Sequence, residues 1–291
     1  MARRSFGGDD HIFVEFDEEM NLAANFRVMA VTATLAERRI EGVIDICPAN
    51  VSYQVRFDPD LLAPQDLEAE LESIEAGVGD GTGFDLRTTI VEVPILYDDP
   101  WTRETASRFR SNRQDPEATD LEFAARINGF DAAEDFAAAH AGSPWIASMV
   151  GFVAGLPFLF QMVPRRRQLE VPKYLSPRTD TPRQTIGHGG CFGSIYSVRG
   201  AGGYQMLGIT PAPIYDPTQT HPDFADSLVF FEPGFIVKYA PIDREAYDEL
   251  TAQVEARRFR FKQVPVEFSL GGFLADPDGY NRGLMEVLDD S

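Results

Sequence analysis

Up to residue 97 the apolar residues fall into short blocks, each with a single period. His11 to Phe16 reads as a strand, and Asn21 to Arg38 places Leu22, Phe26, Met29, Ala30 and Ala33 on one helical face. Gly42 interrupts the chain before a short strand, Val43 to Ile46. Val51, Tyr53, Val55 and Phe57 then alternate as a half-buried strand. A helix is predicted from Pro64 to about Glu75, and a turn rich in glycine (Gly77, Gly79, Gly81, Gly83) leads to a strand, Thr88 to Tyr97. This β-α-β-β-α-β order predicts a small α+β domain of ferredoxin-like type over residues 1–97.

From residue 98 to 291 the pattern changes. Polar helices are predicted at Pro100 to Asn112, Leu121 to Ile127 and Ala132 to Ala141, forming an insert over about residues 100–145. The chain turns apolar from Trp145 to Phe160 and is β-rich, punctuated by Gly and Pro, from 170 to 241. A charged helix, Arg244 to Arg257, and a short one near Tyr280 to Leu288 close it. Short strands with turn signals predict a barrel or a sandwich.

Composition narrows the partners. A formal net charge of −20 disfavours nucleic acid and anionic membrane, which both select basic faces. Lysine supplies only Lys173, Lys238 and Lys262 of the 26 basic residues, which bears on solvation and not on function. Cys47 and Cys191 could form one disulfide but no framework. The two arginines near the start precede no apolar run, and no stretch approaches a membrane span, so a cytoplasmic protein is expected. Histidines 11, 140, 188 and 221 lack metal-ligand spacing, so no metal is expected. A phosphate-binding loop and a dinucleotide fingerprint are both missing.

The densest signal lies between Val171 and Pro217. Eight glycines (187, 189, 190, 193, 200, 202, 203 and 208) fall within 22 residues, among the β-formers Ile186, Ile195, Tyr196, Val198, Tyr204 and Leu207. Glycine at that density in strand-like sequence means close backbone approach or tight turns, in a ligand pocket or at a barrel corner. His188, flanked by Gly187, Gly189 and Gly190, is a candidate acid–base group that a ligand could reach, or else a turn histidine. Cys191, three residues on, is a weaker nucleophile candidate, because no third orienting residue is evident; the alternative is a small buried hydrophobe. A lipase-type oxyanion loop fails for want of a Gly-x-Ser-x-Gly elbow. Arg165, Arg166 and Arg167 form the only basic run of three and read as a solvated loop or an acidic-partner contact.

This segment resembles the carboxyltransferase part of urea carboxylase, in its first half, the module also called allophanate hydrolase subunit one. The resemblance rests on Lys173-Tyr174, Arg178-Thr179, Ile186-Gly187-His188-Gly189-Gly190, Gly202-Gly203-Tyr204-Gln205 and Gly208-Ile209-Thr210. Segments 16–30, 41–59, 97–110, 120–136 and 241–270 are similar to other parts of that family, so nearly the whole chain is covered. Residues 151–159 resemble, more loosely, the 5-oxoprolinase component B and KipI proteins. Family members commonly carry an aliphatic residue where His188 stands. Where carboxylases of the family have Gly-Asp-x-Tyr-x-Gly, this chain has Gly151 to Pro157 with apolar replacements, which puts urea itself in doubt as the acceptor.

The resemblance implies a cyclophilin-like β-barrel for the second domain, with helical insertions and C-terminal helices. It implies a carboxyltransferase that moves a carboxyl group from carboxybiotin to a small urea-like or amide-like acceptor. Biotin would sit on a partner carrier, ATP would be used by a partner biotin carboxylase, and a second-half paralogue would complete the site. None of the three lysines lies in a biotinyl setting. The implied catalytic residues are Gln205, Arg178 and His188. Gln205 offers an amide donor and acceptor for a ureido group, with a cross-strand hydrogen bond as the alternative. Arg178 offers a planar cation for a carboxylate, or a structural salt bridge. Tyr174, Gly189, Gly190, Gly202, Gly203 and Tyr204 are implied to bind substrate or biotin. Alternatives are a component of an ATP-dependent, lactam-cleaving 5-oxoprolinase and a KipI-like kinase-binding inhibitor.

Overall fold

The computed structural model describes residues 2–291 as two compact units. The first comprises the chain up to residue 87 together with 267–276; the second comprises 88–266 with 277–291.

In the first unit, β1 (Arg3–Gly7), β2 (His11–Glu15), β3 (Val43–Pro48) and β4 (Ser52–Phe57) form an antiparallel sheet in the order β1-β2-β4-β3. Period-2 alternation turns Ile12, Val14, Tyr53, Val55 and Phe57 to one face. There they meet Val28, Val31 and Leu35 of α1 (Leu22–Arg38) and Leu67, Leu71 and Ile74 of α2 (Pro64–Val78). Asn21 caps α1 by accepting from the Ala24 amide at 2.8 Å.

The expected ferredoxin-like order is not what forms. Its fourth strand was to be Thr88 to Tyr97, but that segment belongs to β5 (Asp85–Tyr97), which pairs in the sheet of the second unit. The N-terminal β1, too polar to stand out in the sequence, takes the edge position instead. The units accordingly divide at 87/88 and not at 97/98, and 267–276 return to the first.

The second unit is built on a closed ring. Its strands are β5, β6 (Trp145–Val150), β7 (Pro157–Gln161), β9 (Thr185–Gly189), β10 (Phe192–Ile195), β12 (Gln205–Ile209) and β13 (Ile236–Pro241). They run β12-β9-β10-β7-β6-β13-β5, with β14 (Gln263–Ser269) outside β5. Pairing of Gly208 with Tyr97 and of Ile209 with Leu96 joins β12 back to β5, so the ring closes without exposed edges. The alternative between barrel and sandwich therefore resolves as a barrel. Its interior holds Val91, Val93, Trp145, Leu159, Ile186, Ile195, Val237 and Tyr239. A separate two-stranded ribbon pairs β8 (Arg178–Thr181) with β11 (Gly200–Gly202).

The helical insert is α3 (Pro100–Arg108), α4 (Asp120–Ile127) and α5 (Ala133–Ala141), where the polar periodicity puts it. Asp99 caps α3 by accepting from the amides of Trp101 and Thr102, and Thr119 with Glu122 forms a capping box on α4. The charged helix is α6 (Arg244–Glu255), and Pro277–Asp289 forms a terminal helix. Among the described residues no helix is long and apolar enough to cross a membrane, and no group of three His, Cys, Asp or Glu could hold a metal ion.

Candidate functional site

Successive side chains of a strand point to opposite faces, and this decides where the glycine-rich segment sends its groups. On β9, Ile186 and His188 turn into the barrel, whereas Gly187 and Gly189 lie on the outside. His188 is fully buried, edge-on to Trp145 at 5.6 Å and 6.0 Å from the ring of His140. Its Nε2 lies 3.1 Å from the Leu169 carbonyl, and Nδ1 has no hydrogen-bond partner. Burial pushes its pKa down from 6.5 to about 4, so the ring is neutral near pH 7. His140, also fully buried and shifted further down by burial, shares a 2.7 Å hydrogen bond between Nδ1 and the Tyr97 hydroxyl.

The outer face is different. Tyr204 lies against the backbone of Gly187 and Gly189, where a Cβ on Gly189 would run into its ring. Gly202 meets the Tyr196 hydroxyl in the same way, at 2.5 Å from a would-be Cβ. These two glycines are small so that two tyrosines can pack. Between the rings opens a cleft of about 350 Å³ lined by Phe152, Phe158, Lys173, Ser194, Tyr196 and Tyr204 with Gly202 and Gly203. No carboxylate lines it. Lys173 brings the one cation, with Nζ 5.3 Å from the Tyr204 ring centre. Ser194 is 1% exposed, and its hydroxyl finds no partner among the described residues. Phe152 stands at the mouth, 69% exposed, with its backbone at φ +69°, a conformation that costs a non-glycine residue about 1 kcal/mol or more.

Behind the cleft sits a buried polar knot. The Tyr174 hydroxyl donates to Asp120 Oδ2 at 2.7 Å, as does the Met206 amide at 2.7 Å. Arg113 Nε pairs with the other oxygen, Oδ1, at 3.0 Å. That ion pair is close without hydrogen-bond geometry, so Oδ1 accepts no hydrogen bond. Burial pushes the Asp120 carboxyl up, while the Met206 amide, Tyr174 and the two arginines, 113 and 178, hold it down. Arg178, fully buried, stacks over Tyr174 at 4.3 Å and donates from Nη1 to the Tyr204 carbonyl at 2.7 Å. Gln205 Nε2 donates to the Pro172 carbonyl at 2.9 Å and reaches Gln114 Oε1 at 3.3 Å, and Gln114 in turn donates to the Lys173 carbonyl.

Of the residues singled out in the sequence, Gly202, Gly203 and Tyr204 line the cleft, and Tyr174 and Arg178 support it from behind. Three placements correct the expectation. His188 is not open to a ligand, because its flanking glycines lie on the opposite face of the strand. Gly189 packs under Tyr204, and Gly190, at φ +63°, makes the turn bonded both ways to Val171; neither lines the cleft. Gln205 is spent on Pro172 and Gln114 and is 1% exposed. Cys191 is a free, partly buried thiol whose pKa burial pushes up, so it is a poor nucleophile. Arg165 and Arg167 pair with Glu170 and Asp278 at the surface. Asp120, Phe158, Ser194 and Tyr196 escaped sequence reasoning; for Ser194 the only signal was its alternation with Gly193 in a strand.

Residues 2–225 match the family described as carboxyltransferase domain, subdomain C and D. Among curated proteins, the 5-oxoprolinase component B of Bacillus subtilis is 27% identical over 248 residues, 82% of this chain and 92% of that protein. A putative urea carboxylase of Emericella nidulans is 25% identical over 298 residues, covering 97% of this chain but 23% of its own length. The crystal structure of Kluyveromyces lactis urea carboxylase matches the fold over 100% of this chain and 26% of that one, with a TM-score of 0.83 and 21% identity. The chain thus spans nearly all of the bacterial relative and about a quarter of each fungal protein.

Proposed function

The chain belongs to the family of carboxyltransferase domains, subdomains C and D, and from that membership we propose that it is the carboxyltransferase component of a biotin-dependent, urea-carboxylase-like complex. The observation that carries this reading is coverage. The similarity to the putative urea carboxylase extends over 97% of the chain, against 82% for the 5-oxoprolinase component. We name the component by its subdomain letters and not as a first half. A paralogue with the complementary subdomains, a biotin carrier and an ATP-using biotin carboxylase are its partners in this reading.

The cleft fits the group that such chemistry requires. A ureido ring system is flat and mostly apolar with polar edges, and this cleft offers aromatic walls, a buried hydroxyl without a partner and a single cation. Carboxybiotin, delivered by the partner carrier, supplies the activated carboxyl group when bound. Lys173 attracts the carboxylate, and the Ser194 hydroxyl donates to a ureido or carboxyl oxygen. Phe158, Tyr196 and Tyr204 exclude water, so these electrostatic contacts act at low dielectric. The backbone of Gly202 and Gly203 allows close approach. Arg178, Tyr174 and Gln205 are positioning residues that hold Tyr204 and the Pro172–Lys173 segment in place. The acceptor is a small urea-like or amide-like molecule.

Purification of the chain with its partners from the native host, followed by streptavidin blotting, tests this reading. A biotinylated partner and bicarbonate-dependent ATP turnover are expected. A complex without biotin that cleaves a lactam at the expense of ATP would replace it with the second reading, a 5-oxoprolinase component, which the 92% coverage of the bacterial relative favours.

A further inference from the structure

A second cavity, about 300 Å³, opens within the helical insert and is lined by six charged side chains: Asp98, Arg103, Arg110, Arg113, Glu117 and Asp120. Four of them neutralise one another. Arg103 donates from Nε and Nη2 to the two oxygens of Asp98, at 2.6 Å each. Arg113 and Asp120 form the buried pair of the knot, 7% and 3% exposed. Arg110 and Glu117 are left over. Both are exposed, and neither has an ion-pair partner among the described residues. The cavity therefore presents one unspent charge of each sign against walls whose other charges cancel.

That pattern selects its occupant. A small anion satisfies Arg110 but meets Glu117, and a small cation meets the reverse conflict. A neutral molecule leaves both charges unmatched. We propose that this cavity is a binding site for a small zwitterion, with its carboxylate on Arg110 and its ammonium on Glu117. The volume lies at the small end of ligand pockets. The proposal does not depend on the carboxyl-transfer reading.

The site is also wired to the cleft. Asp120 and Met206 line the cavity, and Asp120 Oδ2 accepts from the Tyr174 hydroxyl, whose ring carries Arg178, which holds the Tyr204 carbonyl on the cleft wall. A ligand that shifts the Arg113–Asp120 pair therefore acts on an unbroken chain of buried contacts ending at Tyr204.

Isothermal titration calorimetry on the full chain tests the site, with glycine, acetate, methylammonium and urea as probes. Saturable binding of glycine is expected, at least about tenfold tighter than acetate or methylammonium, with no saturable heat from urea. Arg110→Gln and Glu117→Gln should each weaken glycine by about tenfold, and both positions are exposed, so folding is not at stake. The double swap Arg110→Glu with Glu117→Arg should restore binding, because a zwitterion can reverse. Acetate binding as tightly as glycine, absent glycine heat, or a swap that fails to bind at an unchanged melting temperature would each overturn the proposal.

Discussion

The two faces of β9, β10 and β12 share a backbone and differ in nearly everything else. Inside the barrel, His188, His140, Trp145 and Tyr239 pack ring against ring in full burial. Outside, glycines take the places of side chains, tyrosines from β12 and its flanks lie over them, and a cleft stays open. The lesson is one of parity. Glycine beside a histidine in sequence frees the opposite face of the strand, and the histidine keeps its neighbours from the next strands. Polar groups inside are neutral and aromatic; polar groups outside keep charge, as in Lys173, or an unspent hydroxyl, as in Ser194.

The largest expected effect comes from the group that holds the outer face up. Arg178 is fully buried, and its removal leaves the Tyr204 carbonyl without its donor and strips one cation from beside Asp120. Breaking a buried charge network by deleting one member costs about 3–5 kcal/mol. Arg178→Ala should lose stability of that order in urea denaturation, and Arg178→Lys should recover little of it, because an ammonium cannot both stack on Tyr174 and fork to Thr181 and Tyr204. A loss under about 1 kcal/mol would mean that the outer face stands without the knot.

The inner face makes its mark through pH. An unfolded chain protonates His188 near the ordinary value of 6.5 and the folded chain near 4. Between those values the unfolded state binds more protons, so stability falls as pH drops through the window; above it both states are neutral and the effect vanishes. A shift of that size corresponds to at most about 3 kcal/mol, the separation of the two pKa values taken at about 1.4 kcal/mol per unit. Asp120, whose carboxyl is raised by burial, works with the opposite sign, and Asp180, held down to about 2 by Arg199 and Arg108, acts below the window. The informative measurement is therefore a difference. The drop in melting temperature from pH 7 to pH 4.5 should be smaller in His188→Leu than in the wild type, whatever the variant's absolute stability. An equal drop would show that solvent reaches the inner face.

Much of this fold was legible before any coordinates. The amphipathic period of α1, the alternation of Tyr53, Val55 and Phe57, and the TxxE signature of α4 each name their element because the local signal and the tertiary packing agree. Two elements were silent for physical reasons. β1 reads Arg-Arg-Ser-Phe-Gly, an edge strand with no apolar alternation, and β5 reads as a strand without saying which sheet it joins. Pairing partners distant in sequence are set by ring closure, which leaves no local trace. The site was half legible. The segment with Gly202, Gly203 and Tyr204 announced itself by composition, whereas Asp120 looked like an ordinary helix start and Ser194 like any strand serine. Applying strand parity to β9 would have sent His188 away from its glycines.

The smallest effect is the sharpest divider of the two faces. The Ser194 hydroxyl is buried on the outer side with no partner, so the folded chain carries an unsatisfied polar group there. Such a group costs about 1–3 kcal/mol of desolvation, and its removal restores rather than harms stability. Ser194→Ala should therefore keep the wild-type melting temperature or raise it, the reverse of the Arg178 variants. If the hydroxyl is held in reserve for a ureido or carboxyl oxygen, the same change deletes one hydrogen bond to the bound group, about 1 kcal/mol, or roughly fivefold in affinity. Free biotin titrated into the assembled complex supplies the readout. Stability held or gained, together with weaker biotin binding, marks a residue kept for the ligand at the expense of the fold. Stability lost with unchanged binding would instead make Ser194 part of the packing and return the cleft to Lys173 and the tyrosines alone.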